Sequence, residues 1–151
     1  MNYLEGDWFA VPLGPGGYVA GIVARANKRR ATILAYFFGP PRPELPVLAE
    51  LATLAAADAL LVCTCSHLGL AEGAWPVIGK PDDWDRTKWP MPIFKRSQEL
   101  TGQFFRVYYN DDDPAQQVRA EQIPRSLAEG LPEDGLMGYE FVEKRLARLL
   151  S

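Results

Sequence analysis

The chain has 151 residues, 48% hydrophobic and 23% charged, with a formal net charge of −3 and a single histidine. A chain of this length buries roughly 70% of the surface its unfolded form exposes, so one core and a single domain over residues 1–151 are expected. The acidic balance argues against non-specific nucleic-acid binding, which needs Lys and Arg against phosphates. No run approaches the ~20 apolar residues of a membrane helix, and MNYLEGDWF has neither the basic nor the apolar region of a secretory signal. A cytoplasmic protein with no membrane or nucleic-acid partner is the expectation.

GDWFAVPL (Gly6 to Leu13), YVAGIVARA (Tyr18 to Ala26) and ATILAYFF (Ala31 to Phe38) read as three strands, separated by GPGG and NKRR turns. Gly21 predicts a bulge or bend in the second strand. The basic cluster Arg25, Lys28, Arg29 and Arg30 is placed at a solvated hairpin tip. GPPRPELP stops the third strand because its prolines donate nothing to a ladder. A short helix follows Pro46, with Leu48, Leu51, Ala52 and Ala55 on one face. DALLVCTCSHL (Asp58 to Leu68) is apolar on both alternating faces, which predicts a central strand covered on both sides.

The stretch from Trp75 to Phe94 holds three of the four tryptophans and four prolines. Trp75 to Ile78 reads as a short edge strand, since Pro76 is tolerated only where no ladder donor is needed. Gln103 to Asn110 is a further strand ended by DDDPAQQ, VRAEQIP is a shorter edge strand, and LAEGLPEDGLMG is turn-rich. FVEKRLARLL closes the chain as an amphipathic helix with Val142, Leu146, Leu149 and Leu150 on one face. The class is α+β: a strongly curved, mainly antiparallel sheet, able to take the form of a partly open barrel, with two helices packed on it.

Cys63, Cys65 and His67 alternate onto one strand face, and all three bind zinc in other settings. Positions i and i+4 of a strand are about 13 Å apart, however, and the ligand atoms of one metal lie within ~2.3 Å of it. Two core thiols and a histidine near a strand end are therefore expected. With one histidine and no GxSxG elbow, a nucleophilic hydrolase is disfavoured. No phosphate-binding glycine loop is present, and no cofactor or metal is expected.

Two acidic groups remain. Asp82, Asp83 and Asp85 surround Trp84, and Asp111, Asp112 and Asp113 follow the strand that ends at Asn110. They lack the calcium-loop pattern, and their simplest role is a solvated turn. The same carboxylates would steer a basic partner electrostatically. Trp75 and Trp89 are expected to hold the loop to the sheet. Trp84, with few apolar neighbours, is expected to be partly exposed and offered to a partner.

The ordered set GDWFAVPL, AYFFGP, DALLVCTC, WPVIG, WDRTKWPMPIF, VYYNDDDP, EGLPEDGL and RLARLLS resembles the immunity-protein-26 family of bacterial polymorphic toxin systems. That resemblance implies a small cytoplasmic antidote that binds a cognate toxin domain and blocks it by protein contact rather than catalysis. The family label is also attached to a small phosphotriesterase, so a hydrolase of organophosphate triesters is the alternative. Binuclear sites of that kind need many ligands around two metals. Here they would have to be drawn mainly from the aspartates.

Overall fold

The computed structural model describes residues 2–151. Eight strands form two antiparallel sheets. The first takes β1 (Trp8–Pro12), β2 (Tyr18–Asn27), β3 (Thr32–Arg42), β4 (Leu61–Ser66) and β5 (Val77–Gly79) in the order β4-β3-β2-β1-β5. The second is the meander β6 (Phe94–Gln98), β7 (Gln103–Asn110) and β8 (Asp113–Ile123). Helices α1 (Leu48–Leu51), α2 (Leu68–Ala71) and α3 (Arg125–Ala128) are single turns, and α4 (Tyr139–Leu149) is the one longer helix. The α+β class holds, but the strands form two sheets and do not close into a barrel.

The period of two along each strand explains the layering. Phe9, Val11, Val19, Val23, Ile33, Ala35 and Phe37 belong to one face of the first sheet, packed with Trp75 and with Val142 and Leu146 of α4. Trp8, Ala20, Ile22, Leu34, Tyr36 and Phe38 belong to the other face, packed with Phe94 and Val107 of the second sheet, Leu51 of α1 and Trp89. With both faces covered, β1 to β3 read as continuous apolar runs despite being antiparallel. Burial of a Val, Leu, Ile or Phe side chain stabilises by roughly 1.5–3 kcal/mol, so this double interface dominates the fold.

Several local expectations change. Gly21 is regularly paired, with Phe9 on one side and Phe37 on the other, and the irregular registers lie at Tyr18/Ala20 and Val23/Arg25. The glycine is there for space: a Cβ would stand 2.5 Å from the Phe9 ring and 3.1 Å from Phe37. Strand β3 runs on through Pro40 and Pro41, where the ladder to β2 is already interrupted and asks for no donor. The helix after Pro46 ends at Leu51, so Ala52 and Ala55 lie outside it and are exposed.

Strand β4 is an edge, not a centre. Its outer side is partly closed by Met137, whose backbone exchanges hydrogen bonds with Ser66 and Thr64, and this cover lets an edge strand carry a central strand's composition. Strand β6, at the end of the proline-rich segment, is an addition, and β8 starts at Asp113 rather than Val118. On α4 the inward stripe is Val142 and Leu146 with the half-buried Tyr139 and Leu150, while Leu149 faces water.

Candidate partner-binding face

The three tryptophans of the 75–94 stretch take separate places. Trp75 is fully buried, stacked on Phe9 at 5.4 Å between ring centres, and its Nε1 donates to Glu143 Oε2 at 3.0 Å. Trp89 is buried between the sheets, edge-on to Trp8, Tyr36 and Phe38. Both hold the loop, as expected. Trp84 is half-buried and lies against Gly6, where a Cβ would meet its ring at 2.8 Å. Gly6 also sits at φ +94°, a left-handed conformation that favours glycine, so this residue both turns the chain and seats the indole.

The loop that runs from Pro81 to Pro92 packs Trp89 against the second face of the five-stranded sheet. Beside it lies the β7–β8 hairpin, whose tip is Asp111 and Asp112 because Asn110 pairs with Asp113. Both acidic groups therefore reach one side of the molecule, but their carboxylates have different occupations. Arg86 joins the loop to the hairpin. Its Nε donates to Glu5 Oε1 at 2.8 Å, its Nη1 donates to Asp112 Oδ1 at 2.8 Å, and Asp111 Oδ2 lies 3.7 Å away. The hydrogen bonds to Glu5 and Asp112 hold the Arg86 guanidinium above its ordinary pKa.

Asp113 is half-buried and accepts from Asn27 Nδ2 and from the Ala115 amide. Asp85 accepts from the hydroxyl and amide of Thr87, and those bonds pull its pKa below the usual carboxylate range. Asp82 and Asp83 are exposed and carry no ion pair among the described residues.

Arg25 is the residue that sequence reasoning placed wrongly. It belongs to β2, not to the hairpin tip, and is 2% exposed. Its Nε donates to the Asp111 carbonyl at 2.7 Å, its Nη2 to Asp111 Oδ1 at 3.1 Å, and its Nη1 to the carbonyls of Trp89 and Ala24. One buried guanidinium therefore ties the tryptophan loop and the aspartate hairpin to the sheet. The register shift after Val23 explains its direction: Ala24 packs on the second face and Ala26 on the first, leaving Arg25 free to turn toward the loop. A signal existed, in that a charged residue inside an apolar strand needs buried partners.

Between α1 and the loop opens an apolar cleft of about 810 Å³. Trp8 and Trp89 line it with Leu48, Leu51 and Leu54, Trp84 joins them from the loop, and Asp83, Asp85 and Lys88 stand among its lining residues. Apolar walls with a few convergent polar groups are the ordinary form of a binding site.

Cys63, Cys65 and His67, which alternate along the strand in the sequence, are all buried. Cys63 and Cys65 are buried in the core, and a hydrogen bond to Cys63 together with burial pushes the Cys65 thiol up. His67 follows β4, shares a 2.8 Å hydrogen bond through Nδ1 with the Tyr3 hydroxyl, and has its pKa lowered by burial and then by Lys28. Among the described residues, no three His, Cys, Asp or Glu side chains converge as a metal-holding group.

The family model for immunity protein 26 matches residues 4–106. The chain belongs to that family. The matched span of this immunity protein 26 member carries β1 to β6, Arg25, the tryptophan loop and every residue lining the cleft. Asp111 to Asp113, β8 and α4 lie beyond it. No curated protein and no solved structure matches the chain.

Proposed function

We propose that this protein is a cytoplasmic antidote that neutralises a cognate polymorphic toxin domain by direct contact, using the face built from the 81–92 loop and the β7–β8 hairpin. Membership of the immunity protein 26 family supports the immunity role. The choice of face rests on one observation. Asp82 and Asp83, exposed and without an ion pair among the described residues, immediately precede the half-buried indole of Trp84 on a loop anchored by buried residues. Exposed carboxylates accelerate the approach of a basic surface and select for it. Tryptophan supplies contact area with little side-chain entropy to lose. Asp111 and Asp112 add negative charge, although Arg25 and Arg86 engage part of it. The partner is accordingly a toxin domain with a basic surface.

The test is co-expression. Cells carrying the toxin domain encoded beside this gene survive when the protein is present, and the two proteins co-purify. Absence of both protection and co-purification overturns the reading. An assay on an aryl phosphotriester with added divalent metal addresses the hydrolase alternative, for which no turnover is expected.

A further inference from the structure

The cleft between α1 and the tryptophan loop has a firm floor and an open mouth. Its floor, Trp8 and Trp89, is buried and held edge-on at 5.7 Å. Arg25 and Tyr36 donate to the carbonyls of Trp89 and Pro90, fixing the end of the loop. The α1 side offers Leu48 and Leu54, with the small exposed residues Ala49 and Ala52 at the opening. Apolar walls held open toward water leave a large area to be gained by an occupant.

Resting on the immunity reading above, we propose that the cleft receives an apolar side chain of the toxin domain, and that a Lys or Arg beside that side chain in the toxin pairs with Asp82 and Asp83. Charge is the reason for choosing a protein segment of this chemistry. Asp83, Asp85 and Lys88 stand at the cleft, Asp85 is committed to capping Thr87, and Asp82 and Asp83 form no ion pair among the described residues. The apolar surface also continues past the cleft. Val47, next to the cleft-lining Leu48, is 57% exposed, and Leu45 is 46% exposed. A small molecule would fill the cleft and leave that strip uncovered, whereas a protein surface covers both. An anchor residue in a desolvated pocket ringed by polar contacts is the usual architecture of an interface hot spot.

Titration calorimetry of the full-length protein with the purified toxin domain encoded beside its gene tests this. Ala52→Trp fills the opening from a position that is solvent-exposed in the unoccupied protein, and Asp83→Lys reverses the charge beside it. Each is expected to weaken binding at least tenfold while leaving the thermal midpoint unchanged. Ala49→Trp, at the same opening, replaces Ala52→Trp if that variant lowers the midpoint. Phe141→Ala, on the exposed side of α4 across the sheet, is expected to bind like wild type.

If wild type binds tightly and either variant binds as well, the part it probes is wrong: the cleft for Ala52→Trp, the basic neighbour for Asp83→Lys. In both cases the immunity reading survives. A loss at Phe141→Ala equal to theirs would move the interface to α4 and overturn the proposal. If wild type itself does not bind, the immunity reading fails first and takes this one with it. An apolar small molecule carried by the purified protein, absent from Ala52→Trp and not displaced by toxin, would also overturn it.

Discussion

Trp75 and Trp84 stand in one loop-rich stretch, yet they belong to opposite faces of the five-stranded sheet. Around Trp75 every group is occupied. The indole stacks on Phe9, its N–H is bonded to Glu143, and a Cβ on Gly69 would meet the ring at 2.6 Å. Around Trp84 the seat is made by Gly6, the ring lines an open cleft, and two neighbouring carboxylates carry no ion pair among the described residues. The same residue type serves stability at one place and is left available at the other. What separates the two is whether the surrounding polar and apolar groups are already satisfied.

Perturbing the satisfied groups, on either side, should cost stability. Trp75→Ala removes a fully buried indole and is expected to cost about 3–5 kcal/mol in urea unfolding. Arg25→Ala comes next: it strips a buried donor from the carbonyls of Trp89 and Asp111, for an expected loss of about 1–3 kcal/mol. A loss well below 1 kcal/mol for either variant would contradict the role assigned to it.

Buried groups on both faces of the sheet should also answer to pH. Burial raises the pKa of Tyr3, Tyr36 and Tyr109 to about 12 from an ordinary 10.0. The folded state therefore holds these phenols neutral where the unfolded chain ionises them. Their contribution to stability is complete below pH 10 and is lost as pH rises from 10 toward 12. His67 works in the opposite direction. Its lowered pKa means that the unfolded chain takes up the proton first, so stability falls as pH drops below 6.5. Urea midpoints measured across pH check both limbs, and a flat acid limb in His67→Gln identifies the histidine as the source of the second.

The open side should answer to salt instead. Toxin association is expected to slow several-fold as ionic strength is raised, because exposed charges are screened beyond about 8 Å at physiological salt. Asp82→Asn with Asp83→Asn should remove most of that dependence and leave the thermal midpoint in place. Stopped-flow association rates check it, and an unchanged salt slope in the double variant would detach these carboxylates from recognition.

Much of this division was legible in the sequence. Tryptophans flanked by apolar residues or by proline read as anchors and the one flanked by aspartates as partly exposed, and the structure buries the first two and leaves Trp84 half-buried, because side-chain neighbours along the chain foreshadow the local environment. Strands β1 to β3 and the final helix followed from apolar runs and from helical spacing. The separation into two sheets was not legible, since alternating burial looks the same whether strands curl into a barrel or stack. Arg25 was misread because its partners, Asp111 and Trp89, are distant in sequence and meet it only across the sheets. The cleft escaped for the same reason: α1, β1 and the tryptophan loop supply its walls from three separated segments. The limit of Gly21 was different again, because the clash it avoids depends on cross-strand phenylalanines.

The most direct test is the calorimetric affinity of Trp84→Ala for the toxin domain, set beside its unfolding free energy. Binding is expected to fall by at least about 2 kcal/mol, roughly thirtyfold, with a stability loss clearly smaller than that of Trp75→Ala. Wild-type affinity combined with a loss of stability as large as that of Trp75→Ala would make Trp84 another anchor and contradict the account.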